Sequence, residues 1–390
     1  MHVVPDPASA GRRSPAGRSS IVDVAARAGV SVATVSRALR DLPNVSPGTR
    51  ARVLEAAHEL GYSASPLASG LVTGRVRAVG VVLPYAGRWF FAEVLRGVEE
   101  VLRGRGYDLV LHVLSDDQRR ADFFANLPVR RRVDAVLVIT LSLDAHEISA
   151  LRSLDVPLAT VGEPLLGIHG DRIDDVAAAR VAVQHLINLG HRRIACIGGG
   201  ADSQHGSRTP AWRTQGYREA LRGAGIEIGA GWEQDGRFSA AGGELAMTEL
   251  LSMPGGAPTA VFCQSDEMAF GAMRALRQSG LSCPGDVSLV GIDDHELSAT
   301  FDLTTVAQPV ADQGSAAAAW LLDHLADQRD PQPAPGRNDI GASGPHDTGP
   351  HDTDALGSST PGAEAEFDHR HPVRLVLRGS TGRPPRHDAM

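Results

Sequence analysis

SIVDVAARAGVSVATVSRALRDLPNVSPGTRARVLEAAHELG, residues 20–61, decides how the rest of the chain is read. At a helical period it holds three short helices. Ile21, Val24, Ala25 and Ala28 fall at i, i+3, i+4 and i+7 and make one apolar face. Ser20, with Asp23 three residues on, is a capping-box start, and Gly29 is a stop. Val30 turns the chain, Ser31 caps a second helix, and Val35, Ala38 and Leu39 form its inward stripe. Ser46-Pro47 opens a third helix with a cap and a proline at the first position. Its expected stripe is Val53, Leu54, Ala57 and Leu60, closed by Gly61. Two short helices joined by a Gly-containing turn and braced by a third make a helix-turn-helix.

The outer face of the second helix carries Val32, Ala33, Thr34, Ser36 and Arg37. Its first turn can enter a major groove, where Arg37 can donate two hydrogen bonds to a guanine. Ser20, Thr34, Ser36 and Thr49 can bond phosphates. On these residues alone, a small helical bundle with a solvated Arg and solvated Ser side chains is an equal alternative.

A resemblance separates the two. Residues 22–62, VDVAARAGVSVATVSRALRDLPNVSPGTRARVLEAAHELGY, resemble the DNA-binding headpiece of the LacI/GalR family of bacterial repressors. AxxAGVSxxTVSRxL, VSxxTRxRV and ELGY recur in that family's order and spacing. The resemblance implies double-stranded operator DNA, near-palindromic, as partner, bound by a homodimer. It adds Ser31 and Asn44 to the DNA-contacting set. It also implies a hinge helix after the headpiece that folds on operator DNA and pushes a leucine into the minor groove. Leu71 stands at the matching position, within a segment starting at Ser65-Pro66 and ending at Gly74 that is too short to be a stable helix alone. Family members carry Arg-Ser-Leu-Arg where this chain has Ser69-Gly70-Leu71-Val72, which removes two phosphate contacts and puts a glycine inside the helix.

Charge is divided along the chain. Residues 1–78 hold ten Arg against five acids, a balance of +5, while the whole chain is −8 and the remainder therefore −13. A basic head on an acidic body fits a nucleic-acid contact confined to one end. No run of eighteen apolar residues exists, so no membrane span is expected. The first twenty residues lack the continuous apolar stretch of a signal peptide, so export is not expected and the cytoplasm is. Cys196, Cys263 and Cys283 have no metal-ligand spacing and read as reduced core residues.

The expected organisation is a Pro/Ser/Gly/Arg-rich disordered tail over 1–19, the headpiece over 20–62, a hinge or linker over 63–77, and a core over 78–328 and 371–383. A flexible, Pro/Gly/Asp-rich insertion with GPHDT twice in tandem occupies 329–370, and a short tail 384–390. In the core, AVGVVLP, YDLVLHVL, DAVLVIT and PLATVG are apolar runs separated by helical stretches such as 91–106. A second set follows, with RRIACIGG, RFSA, TAVFCQS and VSLVGID as strands between helical 210–225, 242–252 and 266–280. Such alternation gives α/β lobes with parallel sheets covered on both faces, two of them with a cleft between. QHLINLGHRRIACIGG, GYREALRGAG, SDEMAFGAMRAL, SLVGIDD and TTVAQP resemble the same family's core, which is periplasmic-binding-protein-like.

Catalytic chemistry finds little support. Gly198-Gly199-Gly200 follows a strand but fails the GxGxxG spacing, with Ser203 at the third glycine's place. HExxH, CxxC and GxSxG are absent, and Asp293-Asp294 has neither nucleophile nor metal partner. No cofactor and no metal site are expected, because the insertion's histidines, with His369 and His371, show only loose His/Asp spacing. A cleft that recognises a small polyol needs planar bidentate donors, carboxylates and aromatic faces. The resemblance carries effector contacts onto Arg213, three residues before Gly216-Tyr217, onto Asp293 after VSLVGI, and onto Phe90 and Phe91. Thr209, Phe238, Ser265 and Asp266 complete that set. Ser265-Asp266 replaces the Asn-Asp of many sugar-sensing members, and Gly162-Glu163 stands where Asp or Arg is common.

The expected function is a small-molecule-controlled transcriptional regulator, most simply a repressor, with a sugar or related metabolite as effector. A solute-binding receptor is disfavoured by the headpiece and the missing signal peptide. A nucleotide-using α/β enzyme is disfavoured by the failed phosphate loop.

Overall fold

The computed structural model describes residues 19–39, 43–62, 75–200, 207–254, 256–327 and 367–385. All of the expected disordered tail over 1–19 except Ser19, the hinge helix with Leu71, and nearly all of the insertion lie outside the described residues. The chain divides into two compact units, residues 1–76 and 77–390.

The first unit contains α1 (Ile21–Ala28), α2 (Val32–Leu39) and α3 (Pro47–Glu59). Ser20 and Asp23 close the capping box, and Gly29 ends α1 in the left-handed conformation at φ 65°. Val24, Ala25, Ala28, Val35, Ala38, Val53, Ala56 and Ala57 form one buried cluster. One expected core position is wrong. Leu54 is 51% exposed, and Ala56 takes its place because Val53, Ala56, Ala57 and Leu60 keep the i, i+3, i+4, i+7 spacing.

The second unit has two six-stranded sheets. In the first lobe β1 (Ala78–Leu83), β2 (Asp108–Val113), β3 (Ala135–Ile139), β4 (Leu158–Val161), β5 (His169–Ile173) and β11 (Asp368–His371) run in the order β11-β5-β4-β3-β1-β2, every pair parallel. Helices α4 (Trp89–Gly104), α5 (Asp117–Asn126) and α6 (Ala145–Arg152) connect them. The second lobe comprises β6 (Ile194–Gly198), β7 (Glu233–Asp235), β8 (Ala260–Cys263), β9 (Ser288–Asp293), β10 (Thr304–Ala307) and β12 (Arg374–Val376), in the order β12-β10-β9-β8-β6-β7. Only β12 is antiparallel. Its helices are α7 (Asp175–Asn188), α8 (Thr209–Gly223), α9 (Ala240–Leu251) and α10 (Asp266–Gln278), while α11 (Val310–Asp327) returns to pack with α4 on the first sheet.

The second sheet shows why its strands read as unbroken apolar runs. Ile194, Cys196, Phe262 and Val290 point to one side, where Val183, Leu186, Tyr217 and Leu221 of α7 and α8 cover them. Ala195, Ile197, Val261, Cys263 and Leu289 point to the other, under Met247, Leu250, Ala272 and Leu276 of α9 and α10. Both faces are buried, so alternation disappears from the sequence. Cys196 and Cys263 lie in this core, Cys283 is half-buried, and none forms a disulfide.

Three segments cross between the lobes: β5 to α7, β10 to α11, and β11 to β12. Two of them were misplaced in the sequence reading. HGDRI was not recognised as a strand, and β11 begins at Asp368, inside the stretch assigned to the insertion. The expected strand RFSA is also displaced. β7 ends at Asp235, and Arg237 and Phe238 have φ of 51° and 47°, which breaks an extended run before Ser239 caps α9. Among the described residues no helix is long and apolar enough to cross a membrane.

Candidate functional site

In the headpiece, α2 turns Val35 and Ala38 inward and leaves Val32, Ala33 and Arg37 exposed, with Thr34 and Ser36 half-buried. Ser31 Oγ accepts from Thr34 N at 3.2 Å and lies 2.9 Å from Thr34 Oγ1, which squares off the first turn of α2. Ser46 caps α3 in the same way through Thr49 N at 3.2 Å. Asn44 sits exposed in the left-handed region at φ 70° just before that cap. Arg37 is the long planar donor on the exposed face of α2, so Arg37→Ala should weaken operator binding by about 1–3 kcal/mol per half-site and relax base preference. Unchanged affinity and preference in a gel-shift titration would show that another element reads the DNA.

Between the lobes lies a cleft of about 560 Å³. Its walls come from the carboxyl ends of strands in both sheets: Pro84 and Tyr85 after β1, Thr140 after β3, Gly162 after β4, Ile173 in β5, Gly199 after β6. Asp235, Ser265, Asp293 and Gln308 stand at the ends of β7, β8, β9 and β10. That placement is where open α/β sheets take ligands. Phe90, Phe91, Thr209, Arg213, Phe238, Ser265 and Asp293, all named from the sequence, line it together.

Arg213 is the polar centre. It is only 5% exposed, donates from Nε to Asp175 Oδ1 at 2.7 Å, donates from Nη1 to the Gln264 carbonyl, and stands 4.0 Å from Asp293 Oδ1. Asp293 also accepts from Gln308 Nε2 at 2.7 Å, and Gln313 Nε2 donates to Gln308 Oε1 at 3.1 Å. This chain of polar groups joins α7, α8, β9 and α11, with Phe90, Phe91 and Phe238 as apolar wall. Backbone strain gathers here: Asp293 has φ of 136° and Thr140 of 47°. Thr140 Oγ1 is buried without a hydrogen-bond partner among the described residues.

Asp266 does not line the cleft. Its fully buried carboxylate accepts from His295 N at 2.9 Å, Ser298 Oγ at 2.6 Å and Thr305 Oγ1 at 2.6 Å, tying α10 to β10 and to the loop after β9. Sequence reasoning passed over Tyr85, Thr140, Asp175 and Gln308, and met Glu163 only as a departure from the family's pattern. Their common signal is position just past a strand's carboxyl end. Glu163, 2% exposed, receives Arg208 Nε at 2.5 Å and so links the loop after β4 to the start of α8 across the cleft.

Burial pushes the Asp293 carboxyl well above the usual carboxylate range, with the Arg213 charge pulling the other way. The folded state therefore holds a proton where an unfolded carboxyl, with pKa about 3.9, has lost it. Stability must then fall as pH rises from about 4 through the raised value. Asp293→Asn should raise the thermal midpoint relative to wild type at pH 8, with the difference shrinking toward pH 5. A variant that tracks wild type at both values would sink this assignment.

Comparison with known proteins agrees with this geometry. Residues 20–65 match the model of bacterial regulatory proteins of the lacI family, and residues 183–341 match a periplasmic binding protein-like domain. The HTH-type transcriptional repressor CytR of Escherichia coli (strain K12) is 36% identical over 316 residues, covering 80% of this chain and 91% of CytR. A transcriptional regulator CelR–cellobiose complex is 30% identical with TM-score 0.62, covering 93% of this chain and all of that one. The lac repressor dimer bound to operator and the anti-inducer ONPF is 26% identical with TM-score 0.74, covering 94% and 100%. With a helix-turn-helix unit ahead of a two-lobed core, and relatives that are regulators rather than enzymes, the chain belongs to the lacI family of bacterial regulatory proteins and is a DNA-binding transcriptional regulator.

Proposed function

We propose that the chain acts in the cytoplasm as a homodimer on a near-palindromic operator, and that its cleft takes a small hydroxyl-rich metabolite of the sugar class that sets operator affinity. The observation that carries this reading is Arg213 held between Asp175 and Asp293 beside three phenylalanine rings. Carboxylates accept hydroxyl protons, a guanidinium donates to ring oxygens, and aromatic faces cover the apolar side of a sugar. The cellobiose complex of the CelR regulator supports the class. On the headpiece, Ser20, Ser31, Val32, Ala33, Thr34, Ser36, Arg37, Asn44 and Thr49 are the proposed DNA contacts, with Leu71 added by the resemblance.

Effector control requires unequal affinity for two lobe arrangements. The Glu163–Arg208 pair, one residue from each lobe, is a contact that such a rearrangement would make or break. The test is a thermal-shift screen of the full chain with pentoses, hexoses, disaccharides and nucleosides, followed by operator gel shifts. A ligand at 100 times its dissociation constant should stabilise by about 2.7 kcal/mol. A hit that leaves operator affinity unchanged would count against effector control, and a hit only among nucleosides against the sugar class.

A further inference from the structure

The strand pair β5–β11 carries an unusual set of side chains. Its parallel register sets His369 beside Asp171 and His371 beside Ile173. Alternation along each strand therefore places His169, Asp171, His369 and His371 on one face and Arg172, Asp368 and Arg370 on the other. On the second face Arg172 grips Asp368 with two bonds, Nε to Oδ1 at 2.7 Å and Nη2 to Oδ2 at 2.8 Å, and Arg370 reaches Asp174 at 3.1 Å. These ion pairs fix the register without help from the first face.

On the first face three ligand-type atoms converge. Asp171, fully buried, has Oδ1 at 2.7 Å from His369 Nδ1 and 2.9 Å from His371 Nε2, and all three side chains offer atoms within 4.8 Å of one another. We propose that Asp171, His369 and His371 bind a divalent first-row transition-metal ion, Zn2+ being the reference cation. Two imidazoles and one carboxylate suit Zn2+, Fe2+ or Ni2+ better than the all-oxygen cations. Bonds of about 2.1 Å in a tetrahedral site put ligand atoms roughly 3.4 Å apart, so the two contacts to Asp171 Oδ1 need to open by only about 0.5–0.7 Å. Each histidine exchanges its hydrogen bond to Asp171 for a metal bond through the same nitrogen, and the neutral ring carries its proton on the other nitrogen.

The surroundings fit. Asp171 Oδ2 is held by His169 Nε2 at 3.0 Å, the outer-shell hydrogen bond that ligating carboxylates receive. His169 lies flat on Trp320 of α11, with centroids 4.5 Å apart and 2° between the planes, and Trp320 stacks on His324. The His371 side chain is nearly enclosed and that of His369 is 57% exposed, which leaves a solvent path and room for a water ligand. Both strands run straight into lobe crossings, β5 into α7 and β11 into β12. A bound ion therefore clips two of the three hinge segments together.

The test titrates chelator-treated full-length protein with Co2+, then displaces it with Zn2+, following the visible Co2+ absorption and tryptophan emission. We expect one Co2+ per chain, displaced by one Zn2+, with quenching that is lost in Trp320→Phe. His369→Gln, at an exposed ring, and His371→Gln should each weaken binding at least tenfold. The double variant His346→Gln/His351→Gln, which removes the tandem-repeat histidines, should bind as wild type does. The proposal is overturned if wild type shows no saturable 1:1 signal, if both β11 variants bind unchanged, or if loss is confined to the tandem-repeat variant.

Discussion

Arg213→Ala should destabilise the core by about 3–5 kcal/mol at pH 8 and abolish the effector response, while the headpiece keeps its operator contacts. The guanidinium is the shared partner of two carboxylates, Asp175 and Asp293, whose side chains are 4% and 7% exposed, and of the Gln264 carbonyl. Alanine leaves both acids buried without a counter-charge, and an unpaired buried charge costs more than the pair itself gains. Burial already raises both carboxyls, so protonation can relieve the defect. The deficit should accordingly shrink as pH falls from 8 toward 5, because Asp293, raised to about 8, then takes up its proton, and the raised Asp175 carboxyl moves in the same direction. Thermal midpoints of variant and wild type at the two pH values measure this directly. Equal midpoints at pH 8 would mean that the Arg213 network holds nothing together.

Gly271→Ala should cost about 3 kcal/mol, against the ordinary sign for a glycine inside a helix. Alanine at an unobstructed helical site stabilises by up to about 1 kcal/mol. At Gly271 in α10, however, an added Cβ would stand 1.8 Å from the Ala240 carbonyl oxygen and 2.7 Å from Glu244 N, both backbone atoms of the α9 segment. Gly243 faces the reverse contact, 2.2 Å from the Met268 carbonyl oxygen. These helices pack backbone against backbone, and the only relief is to push them apart, at the high end of overpacking costs. Gly104→Ala in α4, where nothing lies within 4 Å, is the control and should be neutral or stabilising. If the two variants shift the urea midpoint alike, the close approach of α9 and α10 is not limiting.

What could be read from the sequence followed burial. β1, β3, β6, β8 and β9 are apolar because both faces are covered, and Ser20 and Ser46 announce helix starts because their hydroxyls cap them. β5 escaped because HGDRI is polar. Its side chains are satisfied by Asp368, His369 and His371, almost two hundred residues away, and no local window contains that pairing. The same distance hid Asp171 as a partner of the two histidines. In the cleft, Arg213 and Asp293 carried a motif, whereas Thr140 and Gln308 are marked only by following strands whose ends had first to be located. Asp266 misled for the opposite reason, since a carboxylate beside a cleft residue can spend all its acceptors inside the protein.

The order of the strands also bears on synthesis. β11 is the outer strand of a sheet whose other five strands are complete by Ile173, so a growing chain carries β5 as an open edge until residue 371 has been made. Open edges invite pairing with foreign strands, and charged side chains along them are a deterrent. β5 holds Asp171 on one face and Arg172 on the other; Arg172 meets its carboxylate, and Asp171 two of its three histidine partners, only on β11. The polarity that conceals this strand in the sequence thus guards the nascent lobe, and it is discharged when the true neighbour arrives.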